Sequence, residues 1–234
     1  KMTETFDQLA EKAWTEGHIP ELQRLEEEMI YRLLRREIRA VGHEPTLLDV
    51  GCGAGEALGR VKVPPSRYIG VDKSQPMLNQ AIKRNRTFAR RFFEGDATDI
   101  VVERDLPWKP DLIMSVLGAF DYMEPMLSLR WASYTLESEG SLFVAFRGPK
   151  HRWLRFEDTL GEDPNAFDDP EVLRELAQNN FPNGEVRLQA VGSSSLNERA
   201  IAKQKIGRFR FWKEQIGLPL EEARIIVLTV RGHR

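Results

Sequence analysis

A short apolar stretch that runs into three glycines constrains the fold of this chain more than any other feature. Residues 47–56 read Leu-Leu-Asp-Val-Gly-Cys-Gly-Ala-Gly-Glu, so β-forming residues precede glycines at every second position. The pattern predicts a buried strand that ends in a tight turn and opens a helix. Glycine suits such a turn because a positive φ costs it nothing and no side chain would block a ligand that approaches the backbone. Backbone N–H groups at the start of the helix would then face the ligand.

The glycine spacing distinguishes two classes of cofactor. The dinucleotide fingerprint G-x-G-x-x-G, counted from Gly51, would need a third glycine at position 56, where the chain has Glu56. The observed pattern is D-x-G-x-G-x-G and begins at Asp49. A carboxylate in this loop suits a ligand that carries an ammonium and a sulfonium, and it would repel a pyrophosphate. The pattern resembles motif I of the class I S-adenosylmethionine-dependent methyltransferases, in which the turn passes under the methionine half of the cofactor.

Strands and helices alternate at short spacing from Thr46 onward, which predicts an α/β fold with a doubly wound, mainly parallel sheet. The resemblance implies that the last two of seven strands form an antiparallel edge. The predicted strands are Thr46–Val50, Arg67–Val71, Arg91–Glu94, Asp111–Val116, Ser141–Phe146, Glu185–Val191 and Ala223–Val230. The predicted helices are Phe6–Trp14, Pro20–Gly42, Gln75–Phe88, Pro125–Leu136, Pro170–Asn179 and Leu196–Ile216.

Acidic residues follow the second and third predicted strands. Asp72 ends a stretch that resembles motif II of the family, and a carboxylate there can accept hydrogen bonds from both ribose hydroxyls. The resemblance implies that Asp96 accepts from the adenine amino group; the alternative is that Asp96 caps a helix from Thr98. The stretch before Trp14 resembles the N-terminal lid of small-molecule methyltransferases, which usually carry tyrosine at that position. The cofactor-binding residues expected on this basis are Trp14, Asp49, Gly51, Cys52, Gly53, Asp72, Lys73, Asp96, Ala97 and Ser115.

Three residues near the ends of strands four and five are candidates for orienting or deprotonating the methyl acceptor. In the family, the segment after strand four borders the transferred methyl group. Asp121 and Tyr122 lie there and would orient or deprotonate an acceptor hydroxyl or amine; alternatively, Asp121 caps the next helix and Tyr122 packs beneath it. His151 follows strand five, in the loop expected to line the acceptor pocket, and the alternative is an exposed loop histidine. The pocket is expected between residues 120–124 and 147–156.

Size and composition suggest a single domain over residues 1–234. Residues 1–45 would form a helical lid, residues 46–146 the cofactor-binding core, and residues 147–234 the acceptor side and edge strands. The formal net charge of −2 argues against wholesale binding of nucleic acid or membrane surfaces. No signal peptide or membrane span is visible, and the single cysteine, Cys52, cannot form an intrachain disulfide. We therefore expect a cytoplasmic protein in which Cys52 fills space and is not a nucleophile.

The sequence predicts an enzyme that transfers a methyl group from S-adenosylmethionine to an oxygen or nitrogen of a small molecule. Methylation of RNA or protein is the alternative reaction, because the runs 83–86 and 90–91 and the basic segment after Leu196 could contact phosphates. A partner protein that binds the cofactor without turnover is the alternative from another class. No spacing of histidine, cysteine and carboxylate residues resembles a metal site, so we expect no metal requirement.

Overall fold

The computed structural model describes residues 21–41, 44–148, 169–193 and 218–232, and in this part of the chain seven strands form one sheet. The sheet order is β3-β2-β1-β4-β5-β7-β6. Strands β1 to β5 pair in parallel, and β7 is antiparallel to both of its neighbours. The strands are β1 Leu47–Val50, β2 Tyr68–Asp72, β3 Phe92–Glu94, β4 Leu112–Val116, β5 Ser141–Arg147, β6 Glu185–Ser193 and β7 Ala223–Arg231. This architecture confirms the predicted fold class.

Helices cover both faces of the sheet. Helices α1 and α2 supply buried residues to the core on one face, and α4 and α5 do so on the other. The helices are α1 Glu21–Ala40, α2 Gln75–Arg84, α3 Val102–Asp105, α4 Pro125–Thr135 and α5 Pro170–Asn180. Ser74 and Asp169 accept hydrogen bonds from backbone N–H groups in the first turns of α2 and α5. No helix among the described residues combines the length and the apolarity that crossing a membrane requires.

Two helices are shorter than the sequence pattern predicts. The turn after β1 opens only a four-residue 3-10 helix, Glu56–Gly59, and the helix predicted to reach Phe88 ends at Arg84. Asn85 ends α2 because its backbone leaves the helical region, at φ −124° and ψ 61°. Its side-chain amide donates to the carbonyl oxygens of Gly55 and Ala81, both at 3.2 Å. The end of α2 is thus held against the start of the 3-10 helix.

Helix α1 lies on the flank of the sheet and is part of the core. Ile30 and Leu34 are fully buried, and burial of such a side chain contributes about 1.5–3 kcal/mol. Two buried acids fix the helix to the last strand. Glu26 pairs with Arg224 at 2.6 Å, and Glu37 pairs with Arg231 through two contacts of 2.5 and 2.7 Å. A buried carboxylate without its partner is strongly destabilising, so these pairs fix the position of α1.

Candidate functional site

The carboxyl ends of β1, β2 and β3 bring three predicted site elements to one edge of the sheet. Val50 pairs in register with Val71, and Asp72 pairs with Glu94. The glycine turn, Asp72 and Asp96 therefore follow neighbouring strand ends. Ligands of open α/β sheets bind in the crevice beyond these ends. The residues predicted from three separate stretches of sequence thus lie together.

The glycine turn adopts the left-handed conformation that its residues predict. Gly51, Gly53 and Gly55 have φ values of 71°, 51° and 71°. At Gly51, however, the close neighbour is the protein itself, because a Cβ there would lie 2.4 Å from the backbone nitrogen of Ala119. At Gly53, a Cβ would approach only the Met77 Cε within 4 Å, at 3.3 Å. The protein therefore leaves space beside Gly53, whereas Gly51 is required by the loop after β4.

Asp72 connects the end of β2 to the glycine turn. Its Oδ2 accepts a hydrogen bond of 2.8 Å from the backbone N–H of Gly53, and its Oδ1 accepts one of 2.9 Å from Ser74. These two bonds hold the carboxylate plane in one orientation at the mouth of the crevice. An ionised carboxylate offers about four acceptor positions, so the arrangement is compatible with hydroxyl donors from a ligand.

Asp96 caps the 3-10 helix Ala97–Asp99, as the alternative interpretation of the sequence predicts. It accepts hydrogen bonds from the backbone N–H and the hydroxyl of Thr98, at 2.9 and 2.7 Å. Lys73 forms an ion pair with its other oxygen at 2.6 Å. Partial burial raises the pKa of Asp96, but the hydrogen bonds from Lys73 and Thr98 outweigh this and leave the pKa below its usual range. Asp96 is therefore anionic at neutral pH, and its contact with adenine stays a prediction.

Asp49 lies beneath the turn and not on its surface. The side chain is buried, and its Oδ2 accepts a hydrogen bond of 2.8 Å from the Tyr68 hydroxyl. Burial raises the pKa of Asp49 to about 7; the bond from Tyr68 lowers it, and the charge of Asp72 raises it further. Asp49 can therefore change its charge near neutral pH. Burial also raises the pKa of the Cys52 thiol, which agrees with the prediction that Cys52 fills space.

Asp121, Tyr122 and Arg147 form one connected group where β4 and β5 end. The Asp121 Oδ1 accepts a hydrogen bond of 2.9 Å from the backbone N–H of Arg147, and its Oδ2 lies 3.4 Å from the Arg147 guanidinium. The same guanidinium donates to the Tyr122 hydroxyl at 2.7 Å and lies 5.3 Å from the centre of the tyrosine ring. Asp121 does not cap the next helix, because Glu124 accepts the hydrogen bonds from the first turn of α4. The sequence pattern places Arg147 at the start of the expected pocket segment but predicts no individual role for it.

Ser115 is the remaining predicted site residue in this region. It is fully buried near the carboxyl end of β4, and its hydroxyl has no hydrogen-bond partner among the described residues. Trp14, His151, the predicted helices Phe6–Trp14 and Leu196–Ile216, and most of the segment 147–156 lie outside the described residues. Their roles, and the single domain predicted for residues 1–234, stay predictions.

The sheet order, its antiparallel β7 and the glycine turn after β1 define the fold of the class I methyltransferases. A family model described as "Methyltransferase domain" matches residues 47–137, and no curated protein matches the sequence. Residues 47–137, which hold the glycine turn, Asp72 and Asp96, are therefore similar to a methyltransferase domain.

Solved methyltransferases resemble the chain over most of its length at low sequence identity. The methyltransferase in a complex with the Trm112 methyltransferase activator of Haloferax volcanii is 18% identical, with a TM-score of 0.65 and 98% of each chain covered. A SAM-dependent methyltransferase of Thermotoga maritima is 18% identical, with a TM-score of 0.59, and 99% of this chain and 100% of that one are covered. The plantazolicin methyltransferase BpumL, in complex with a triazolic desmethylPZN analog and SAH, is 14% identical, with a TM-score of 0.61 and coverages of 92% and 87%. At these identities the likeness concerns the fold.

Proposed function

We propose that this chain transfers a methyl group from S-adenosylmethionine to an oxygen or nitrogen of a small-molecule acceptor. The observation that carries the proposal is the convergence of the glycine turn, Asp72 and Asp96 at the carboxyl edge of three neighbouring parallel strands. The match of residues 47–137 to a methyltransferase-domain model supports the reaction class. The solved methyltransferase BpumL is in complex with SAH, which supports the choice of cofactor.

Each polar element of the edge has a part in holding the cofactor under this proposal. Asp72, oriented by Gly53 and Ser74, accepts from the ribose hydroxyls. Asp96 accepts from the adenine amino group, while its ion pair with Lys73 keeps it anionic. The N–H group of Ala97, next in the chain, faces the ring. The methionine half of the cofactor binds on the open side of the turn at Gly53, above the carboxyl group of Asp49.

The unpartnered hydroxyl of Ser115 also favours a ligand at this edge. A buried polar group without a partner costs about 1–3 kcal/mol, and the native structure keeps few such groups. The hydroxyl lies 3.4 Å from the position that a Cβ on Gly118 would take, in the loop that packs against Gly51. A cofactor or acceptor atom bound there would recover the lost hydrogen bond.

The protein's part in the chemistry is positioning, because a bound S-adenosylmethionine supplies an already activated methyl group. Asp121 and Arg147 compensate each other's charge, so this wall of the crevice suits an uncharged acceptor group. Arg147 also fixes the hydroxyl of Tyr122, which we propose orients the acceptor oxygen or nitrogen. A general base contributes only where the acceptor carries its proton at neutral pH. Among the described residues, Tyr122 and Asp121 remain the candidates for that role.

Two experiments test the proposal. Calorimetry should show saturable binding of S-adenosylmethionine and of its demethylated product, with none of NAD. Incubation with radiolabelled S-adenosylmethionine and fractionated metabolites should label a small-molecule fraction. Saturable NAD binding without a response to the sulfonium would contradict the cofactor assignment. Label that appears only in RNA or protein would refute the small acceptor, and tight binding without any transfer would indicate a non-catalytic binding protein.

A further inference from the structure

A depression lined by arginines lies between the 3-10 helix that precedes β3 and the segment that precedes β2. Its volume is about 580 Å³, and it is lined by Pro65, Arg86, Thr87, Ala89, Arg90 and Arg91. Arg86, Arg90 and Arg91, here called the arginine patch, belong to the 3-10 helix Arg86–Arg91 that leads directly into β3. Pro65 precedes β2 and the patch precedes β3, so the depression lies on the side where these two strands begin, although Asn85, next to Arg86, contacts Gly55 of the glycine turn. The residues that line the depression do not include the glycine turn, Asp72 or Asp96.

The surroundings of the arginine patch are strongly basic although the chain as a whole is not. Residues 75–93 contain five arginines and lysines and no acidic residue, whereas the complete chain has a formal charge of −2. Arg84, just before the patch, pairs with Glu56 at 3.3 Å. For the three patch arginines, the described part of the chain holds no carboxylate within ion-pair distance. Arg86 and Arg90 are exposed, and Arg91 is half-buried. Their charges are therefore presented to solvent.

Arginine at such a surface is suited to phosphate. The planar guanidinium matches the oxygens of a phosphate with two parallel hydrogen bonds, which a lysine cannot form. A single exposed ion pair nevertheless contributes little, about 0–1 kcal/mol, because water screens both partners. Several adjacent phosphates on one strand bind measurably, because each neutralised phosphate releases condensed counterions. The exposure of the patch thus favours a polymer of phosphates over one small phosphorylated molecule.

We propose that the arginine patch binds the sugar–phosphate backbone of a single-stranded nucleic acid. The patch would hold the nucleic-acid strand without using the glycine turn, Asp72 or Asp96. This goes beyond the proposed function and does not depend on it. The formal net charge of −2 argued against binding of nucleic acid. That value sums over the whole chain, so the acidic start of α1 and other acidic regions offset the basic residues 75–93.

Binding of a fluorescein-labelled single-stranded oligoribonucleotide, followed by fluorescence anisotropy at several salt concentrations, tests the proposal. The logarithm of the binding constant falls with the logarithm of the salt concentration by about 0.7 for each neutralised phosphate of a single strand. Three phosphates therefore give a slope near −2 and roughly 20-fold weaker binding at 200 mM than at 50 mM salt. The double variant R86E/R90E should lose most of the binding and reduce the slope to about −0.7, the value for one remaining phosphate. The control R36E/R39E changes the charge equally at two exposed arginines of α1 and should bind like the wild-type protein.

Three results would overturn the proposal. They are no binding by the wild-type protein, equal loss in both double variants, and displacement of the RNA by pyrophosphate at equal phosphate concentration. The second would indicate a general charge effect, and the third a site for a compact phosphorylated molecule. Thermal unfolding of both variants shows whether they fold, and retained calorimetric binding of S-adenosylhomocysteine shows that the carboxyl edge is intact. Failure to bind that cofactor product in the wild-type protein would count against the proposed function alone.

Discussion

Replacement of Asp49 by asparagine should make the stability of the protein less dependent on pH. The pKa of this buried carboxyl is about 7 in the folded protein and 3.8 in the ordinary, solvated state. Well below pH 3.8 the group is protonated in both states, so it imposes no penalty on folding. As the pH rises toward 7, the unfolded chain ionises while the folded protein keeps its proton, and the free energy of unfolding falls. Above pH 7 the full penalty remains.

The size of the effect follows from the difference in pKa. A difference of about three units, at about 1.4 kcal/mol per unit, gives on the order of 4 kcal/mol across the whole range. Between pH 5 and pH 8 the expected loss is about 3 kcal/mol, because part of the penalty is already present at pH 5. Asparagine keeps an oxygen that can accept the hydrogen bond from Tyr68 and has no charge to bury. The variant Asp49→Asn should therefore lack this part of the pH dependence.

Urea unfolding at pH 5, 6, 7 and 8 measures the prediction directly. The difference in unfolding free energy between wild type and Asp49→Asn should grow with pH in favour of the variant. The exposed Glu44 provides a control, since Glu44→Gln also removes one carboxylate. Tyr68→Phe should steepen the pH dependence, because it removes the hydrogen bond that lowers the pKa of Asp49. Parallel pH curves for wild type and Asp49→Asn would refute the reasoning.

Further predictions concern the two ends of the crevice. Asp72→Ala should weaken S-adenosylmethionine binding about 10- to 100-fold in calorimetry, the loss of one hydrogen bond to a charged group; an unchanged affinity would remove Asp72 from the site. Gly51→Ala should lower the melting temperature, because its Cβ would lie 2.4 Å from a backbone nitrogen at φ 71°, and an unchanged melting curve would contradict the observed packing. Tyr122→Phe should reduce turnover on the identified acceptor about 100-fold with cofactor affinity retained, and normal turnover would leave Tyr122 a packing residue. Activity should survive EDTA, and loss restored by magnesium alone would reveal a metal requirement.

The strand ends could be predicted from the sequence because their signals are local. The apolar run before Gly51 and the acid after each of the next two strands need no knowledge of distant residues. The contact between Gly51 and Ala119 could not be predicted, because it joins loops far apart in the chain. The burial of Asp49 was missed for a related reason: its partner, Tyr68, lies on the neighbouring strand, and a sequence motif does not report exposure. Likewise, α2 ends at Asn85, whose side chain contacts the glycine turn. The helix propensities of individual residues do not predict such a contact.

The position of β7 has a consequence for how the protein is made. This strand is the last in sequence but lies inside the sheet, between β5 and β6, and it carries the arginine partners of both buried acids of α1. Glu26 and Glu37 precede those partners by 198 and 194 residues. At roughly 5–20 residues per second, a ribosome needs on the order of 10–40 s to cover that distance. During this time the two buried acids of α1 lack their arginine partners, and β6, once it is made, has no β7 to pair with. This part of the sheet is therefore completed only after β7 leaves the ribosomal tunnel.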